Sequence, residues 1–275
     1  MIDLHTHSTV SDGSLPPETL AREGKAAGLD VMALTDHDRI DGVPAFLDAA
    51  RAVGLLGVPG VELSAEVPAG QLHLVGLGFD PAAPGLREKF ARLLGGRDAR
   101  NRAMVGAFRA QGIDLSYAEV AAFAGSDLVS RVHFAQALVR RGLADDIQDA
   151  FSKYVGKESC CYRERFRYAP AECIETIRAA GGIVAIAHPL SLEPDLARLE
   201  PKLADLRDLG ASAMECYYST YDAETTVGLL RIAKRLGLTP SVGSDFHGTP
   251  KPTIRLGRLP VPPETEAALR ALLRL

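Results

Sequence analysis

Six of the seven histidines in this 275-residue chain stand on, or at the end of, short apolar runs. His5 and His7 close the first run, and His37 closes the second, in Thr35-Asp36-His37-Asp38. His73 lies on the fourth, in Gln71-Leu72-His73-Leu74. His188 closes the fifth, before Pro189, and His247 closes the seventh, in Gly243-Ser244-Asp245-Phe246-His247. Glu62 closes the third, and Asp12 follows His7 closely. Neutral imidazoles and ionised carboxylates are the usual nitrogen and oxygen ligands of divalent metals. Without cations such a set is costly, because buried carboxylates repel one another and buried imidazoles lack partners. The two-residue spacing of His5 and His7 puts both on one face of a strand, which suits two ligands of one ion.

The elements that must position these residues follow from the apolar pattern. Strand candidates are Ile2–His7, Val31–Asp36, Leu55–Leu63, Leu72–Phe79, Ile183–His188, Ala213–Tyr218 and Thr239–Ser244. Most are continuously apolar, as in parallel strands buried on both faces. Helical patterns between them open on Pro17, Pro170, Asp195 or Asp222 and close on Gly28, Gly181, Gly210 or Gly237. Such alternation predicts an α/β fold with a parallel sheet, open or closed into a barrel. In a barrel the strand ends form one face, so the histidines converge by topology. Residues 82–168 break the rhythm with helical patterns only, including a capping box at Ser116 and Glu119 and a cap at Ser130. This predicts a barrel domain of residues 1–81 and 169–275 with an inserted helical subdomain.

Composition limits the alternatives. Hydrophobic residues make up 47% and charged residues 24%, enough to bury a core and to exclude wholesale disorder. The net charge of −4 disfavours a duplex-DNA coating protein. That total hides a contrast, since residues 82–168 hold 15 basic and 10 acidic side chains. Four cysteines with no CxxC spacing point to a reducing compartment, with the adjacent Cys160 and Cys161 structural. No apolar run is long enough for a membrane span, and no secretory leader is visible, so a cytoplasmic location is expected.

These motifs resemble the PHP (polymerase and histidinol phosphatase) family: His5-Thr-His7 through Asp12-Gly13, Thr35-Asp36-His37-Asp38, Gly60-Val-Glu62, Ala187-His188-Pro189 and Gly243-Ser-Asp245-Phe-His247. The resemblance spans the chain. The insertion segment Ser130-Arg131-Val132-His133-Phe134-Ala135 is similar to the YciV/TrpH-like branch, which holds 3′,5′-nucleotide bisphosphate phosphatases and a 5′–3′ exoribonuclease. The resemblance implies a distorted (β/α)7 barrel and three divalent metals, manganese first, zinc or iron as alternatives. It implies His5, His7, Glu62 and Asp245 on one metal, Glu62, His73 and His188 on a second, and Asp12, His37 and His247 on a third. Glu62, Asp245 and His247 are the expected catalytic residues.

Three dications against three carboxylates and a hydroxide leave a site of positive charge, which attracts phosphate. Phosphoester hydrolysis by a metal-bridging hydroxide is the expected reaction. Arg131 and His133 sit in the first turn of the helix capped by Ser130, where cations oppose the helix dipole unless an anion docks there. They are expected to grip a substrate phosphate, with Arg100 or Asn101 reaching the same group. Asp36 and Asp38 are expected to orient the ligands. Tyr217 or Tyr218 could stack on a base or pack as core. The expected partner is a phosphorylated nucleotide or short single-stranded RNA, with no duplex DNA, no membrane and no obligate protein partner. Histidinol phosphate is the rival substrate, and a non-catalytic metal-binding module is the less favoured reading. An amidohydrolase with a bridging lysine is disfavoured because no lysine ends a strand candidate.

Overall fold

Six residues, 66–71, join β3 (Leu56–Ala65) to β4 (Leu72–Leu77). A parallel neighbour needs a crossover of about a dozen residues or more, so this link forces an antiparallel pair. The computed structural model, which describes residues 1–124 and 128–275, has that pairing, from Gly60 opposite Leu77 to Ala65 opposite Leu72. β4 is also antiparallel to β5 (Ile183–Ile186). The other neighbours are parallel: β1 (Ile2–Asp3) with β2 (Val31–Leu34), β2 with β3, β5 with β6 (Ala213–Tyr218), and β6 with β7 (Thr239–Gly243).

The sheet therefore runs in chain order, and its two edges meet. The Leu4 N–H donates to the Val242 carbonyl at 3.1 Å and the His7 N–H to the Phe246 carbonyl at 2.9 Å. This is the expected α/β barrel of seven strands, nearly closed. One expectation is corrected, since β4 is reversed rather than parallel.

The chain divides into two units, Met1–Phe90 with Tyr168–Leu275, and Ala91–Arg167. In the first, the barrel is filled by apolar side chains including Leu4, Val31, Val58, Val75, Ala185 and Val242. Around it run α1 (Pro17–Ala26) and α2 (Val43–Ala52), and the chain leaves through α3 (Leu86–Ala110). The second unit continues α3 and adds α4 (Tyr117–Ala121), α5 (Arg131–Arg140) and α6 (Ile147–Ala150). The first unit then resumes with α7 (Pro170–Ala179), α8 (Leu196–Asp208), α9 (Ala223–Leu236) and α10 (Pro263–Leu273). Asp195 and Asp222 cap α8 and α9 through their carboxylates, and Gly237 closes α9 at φ +68°.

The second unit has its own apolar core of Met104, Phe108, Leu115, Val120, Phe134 and Leu138. Phe108 and Phe134 stack with centroids 6.0 Å apart. Cys161 is buried in this core, with its sulfur 3.7 Å from that of Cys160. Ser116 accepts the Glu119 N–H at 3.2 Å, but the Glu119 carboxylate pairs with Arg141 at 2.6 Å, so its reach goes outward to that arginine. No described helix is long and apolar enough to cross a membrane.

Replacing Phe134 with Ala removes a fully buried ring from this core and should cost about 3–5 kcal/mol. Urea unfolding of the variant against the parent measures it, and a change under 1 kcal/mol, roughly a surface-substitution value, would contradict this packing.

Candidate metal centre

Reversal of β4 decides where His73 goes. As the second residue of β4 it lies opposite Ser64, at the rim where the parallel strands end. His5 and His7 follow β1, and His37 follows β2 and bridges Glu62. Glu62 does not end its strand, as the sequence suggested. β3 continues to Ala65 because its last residues find partners in β4, which the sequence reading had not paired there. His188 follows β5 at φ +24°, and Asp245 follows β7 at φ +55°. Such backbone costs about 1–3 kcal/mol per residue and persists only when the surroundings hold it. The Glu215 carboxylate accepts the His188 N–H, and the His5 carbonyl accepts the Asp245 N–H at 2.9 Å.

Glu62 is the centre of the cluster and is 1% exposed. Its Oε1 lies 2.7 Å from His73 Nδ1 and 2.9 Å from His188 Nε2. Its Oε2 faces His5 Nε2 and His7 Nε2 at 3.3 Å each and His37 Nδ1 at 2.9 Å. Asp245 Oδ1 lies 3.3 Å from His7 Nε2, and Asp12 lies 3.2 Å from His247 Nε2 and 3.7 Å from His37 Nε2.

All nine expected ligands therefore come together. They form four overlapping groups whose donor atoms lie within 4.8 Å: His7, Asp12, His37 and His247; His5, His7 and Asp245; His5, Glu62 and His188; His37, Glu62 and His73. Glu62 Oε2 is buried yet accepts no hydrogen bond, although imidazole nitrogens surround it. A carboxylate oxygen and several imidazole nitrogens aimed at one point fit a cation, so the donor set suits divalent metals.

The charges respond as they must with only one another for company. Burial alone would lower His7, but the facing carboxylates of Asp245 and Glu62 raise it to about 9. Burial likewise opposes the charge on His5, and the carboxylates of Glu215, Glu62 and Asp245 raise it well above its ordinary value. Glu62 and Asp12 are pushed up by burial but held well below the usual range, chiefly by His37. His73 and His247 are lowered, mainly by burial.

One supporting residue, Glu215, was not picked out from the sequence. Glu215 on β6 is 2% exposed, and its Oε1 accepts the His5 Nδ1–H at 2.7 Å. That bond turns His5 Nε2 toward His7 and Glu62. A Cβ on Gly243 would meet Glu215 Oε1 at 2.2 Å and His5 Cβ at 2.4 Å, so the pair needs glycine beside it. The signal was an acid inside the buried run Ala213-Met-Glu-Cys, which demands a partner. Tyr218 donates its hydroxyl to Asp245 Oδ2 at 2.6 Å, while Tyr217 packs on the barrel core. Asp36 accepts from the Ser8 N–H at 2.8 Å, the Ser8 hydroxyl at 2.6 Å and the Ser11 hydroxyl, fixing the loop that carries Asp12. Asp38 accepts the Ser64 N–H at 3.1 Å. A cavity of about 380 Å³ opens on the cluster, lined also by Gln71, Leu190, Ser191, Tyr218, Tyr221 and Lys251.

The expected anion-binding residues lie in the second unit. Arg100 is 5% exposed, and its Nε donates to Asn101 Oδ1 at 2.8 Å. Among the described residues no carboxylate pairs with it. Burial, then Arg97, Arg165, Arg131 and Arg167, push its guanidinium down to about 9. Asn101 spends its other end on the Val129 carbonyl at 2.9 Å, so it holds Arg100 in place rather than facing outward. Arg131 stands over the Tyr162 ring at 5.3 Å, and His133 Nδ1 accepts the Ser130 N–H at 3.1 Å.

Two measurements follow from this geometry. Replacing Glu215 with Gln or Ala should weaken divalent-metal affinity about 10–100-fold, the usual effect of losing a carboxylate behind a ligating histidine. Unchanged affinity by calorimetric titration would count against that role. Metal must also displace the proton that His7 holds up to about 9, so affinity should rise with pH toward that value and binding should release protons. Titration in buffers of different ionisation enthalpy reads the proton count.

Comparisons with known proteins agree with this geometry. Residues 3–115 match the family model for the PHP domain. The chain is 35% identical over 246 residues to a 5′–3′ exoribonuclease of Haemophilus influenzae, covering 89% of each. It is 32% identical over 247 residues to a 3′,5′-nucleoside bisphosphate phosphatase of Chromobacterium violaceum, covering 90% of this chain and 87% of that one. Among solved structures, a Chromobacterium violaceum protein described as an amidohydrolase, with bound sulfate and no metal, superposes with a TM-score of 0.84 at 31% identity, covering 97% of this chain and 96% of that one. With its barrel, its donor set and these relatives, the chain belongs to the PHP family.

Proposed function

We propose that this protein is a metal-dependent phosphoesterase that removes phosphate from 3′,5′-bisphosphonucleotides or cleaves at the 5′ end of short RNA. The observation that carries the reading is the set of four overlapping donor groups at the foot of one cavity, joined by a buried Glu62 oxygen with no hydrogen bond. Relatives named for both activities support it.

Three divalent ions, manganese first and zinc or iron as alternatives, would be shared among the nine residues. His5, His7, Glu62 and Asp245 would hold one, Glu62, His73 and His188 another, and Asp12, His37 and His247 the third. Bound there, divalent cations supply charge neutralisation at phosphoryl oxygens and a deprotonated water near neutral pH. The chain's own residues do the rest. Glu62, Asp245 and His247 set the charge of the reacting centre, Glu215 keeps His5 aimed, and Asp36 keeps the Asp12 loop in place.

Arg100, Arg131 and His133 are proposed to hold an anionic group of the substrate. Arg100 supports this most directly, because a buried guanidinium with no carboxylate partner among the described residues is costly until an anion arrives. The first turn of α5 has no acid to offset Arg131. A small phosphorylated nucleotide or a single-stranded end suits such a seat, and duplex DNA is not the proposed partner. The free thiols fit a cytoplasmic setting.

The test is to load the protein with manganese and compare 3′,5′-bisphosphonucleotides, short 5′-phosphorylated RNA and histidinol phosphate. Turnover of the first or second is expected, and turnover of histidinol phosphate alone would favour that rival. No hydrolysis of any of the three, with metals bound, would overturn the proposal. Arg100→Gln and His133→Ala should raise KM about tenfold or more, the loss of one charge-assisted hydrogen bond, while metal content stays unchanged.

A further inference from the structure

Lys251 is the one lysine or arginine on the wall of the metal-site cavity among the described residues. It lies beyond β7, outside any strand, which is why the sequence pattern passed over it. Its ammonium bonds Asp245 Oδ2, the oxygen that also receives the Tyr218 hydroxyl. The other oxygen, Oδ1, faces His5, His7 and His247. Asp245 is therefore shared between the donor cluster on one side and Lys251 on the other.

The backbone under Lys251 is fastened. The Ser14 N–H donates to the His247 carbonyl at 2.9 Å and the Thr249 N–H to Ser14 Oγ at 3.0 Å. The Lys251 N–H donates to the Gly248 carbonyl at 3.1 Å, and its own carbonyl accepts the Ile254 N–H at 3.1 Å. The side chain is freer, a flexible stem that is 41% exposed, against 5% for the Asp245 side chain it meets. A pair exposed on one side is weak and easily exchanged. A lysine also carries its charge on a mobile point rather than on a rigid fork.

We infer that Lys251 is the phosphate-gripping residue of the metal-site cavity, held on Asp245 until a divalent cation takes up that carboxylate. This rests on the phosphoesterase reading for its substrate, but not for its physics. The ammonium and a divalent cation draw on the same carboxylate, so each weakens the other's hold. With the carboxylate's charge taken up from the Oδ1 side, the ammonium loses its partner and is repelled by the new cation. The nearest way to regain an anion is to turn into the cavity, where a phosphoryl oxygen would stand. Tyr218 keeps Oδ2 bonded meanwhile, so Asp245 holds its plane when the lysine leaves. Lys251 thus binds and positions the phosphate, and it would hold product phosphate in the same way.

The experiment uses Lys251→Met and Lys251→Arg in the full chain. Manganese titrated into chelator-stripped protein should bind Lys251→Met several-fold more tightly than the parent, because a competitor for Asp245 is gone. Inorganic phosphate titrated into manganese-loaded protein should bind Lys251→Met about tenfold more weakly, with most of the affinity restored in Lys251→Arg. In turnover, KM should rise more than kcat falls. Equal phosphate affinity in Lys251→Met and parent would overturn the inference and leave a rim ion pair. Weaker manganese binding in Lys251→Met would also overturn it, since the lysine would then be supporting Asp245. If no phosphoester is hydrolysed by the parent yet both titrations shift as described, the phosphoesterase reading fails and the Lys251 assignment stands.

Discussion

A buried carboxylate with only imidazoles for company sets the terms for this molecule. Glu62 has one oxygen between His73 and His188 and the other among His5, His7 and His37. Hydrophobic packing gives no reason to bring so many polar groups together, and desolvation argues against it. The barrel does so by three separate devices. β4 turns back on β3 to bring His73 to the rim, β3 runs past its β2 partner to keep Glu62 inside paired sheet, and His188 and Asp245 take left-handed backbone. Each device costs stability or regularity, and each makes sense only as a way of reaching Glu62. Strain concentrated where one group of atoms converges is what a binding site, rather than a core, leaves behind.

The donor residues were legible in the sequence because a metal-donor set depends on residue type and on strand ends, both of which a linear pattern displays. His5 and His7 two apart, His37 and His247 at the ends of apolar runs and Glu62 on another could be placed with no knowledge of pairing. The direction of β4 was encoded as well, in the six residues between β3 and β4, but as a length rather than a motif. What could not be read was contact between distant segments. Glu215 stands 210 positions from the histidine it orients, and Asn101 looks like a surface amide until both its ends are found bonded inside the second unit. The half-formed cap at Ser116 has the same cause, since Arg141 outbids the backbone for Glu119, and no local rule contains Arg141.

The two units handle charge in opposite ways. In the barrel, acids and imidazoles compensate one another, so that His7 is raised while Glu62 is lowered, and the cluster is a closed network of ion pairs until a stronger cation enters. In the helical unit, no carboxylate among the described residues pairs with Arg100, and after burial the groups that act on it most are Arg97, Arg165, Arg131 and Arg167, all of its own sign. The first arrangement offsets its own charges, and a cation must displace protons to enter it. The second, on the function proposed above, would be relieved by an anion. An overall charge of −4 conceals both, because it averages an acid-rich donor set with an arginine-rich cluster.

Asp245 shows how little chemistry is needed to make such a site responsive. Its two oxygens lie in different surroundings, one among imidazoles and one against a tyrosine hydroxyl and an ammonium. A neutral donor such as Tyr218 keeps its bond whatever the charge on the carboxylate, because it is a hydrogen bond first and an electrostatic attraction second. An ammonium does not, because its hold depends on that charge. Placing one of each on the same oxygen separates the two tasks. The tyrosine fixes where the carboxylate points, and the lysine senses how much charge remains on it. A pair of lysines there would lose the geometry when a cation binds, and a pair of tyrosines would never register that it had.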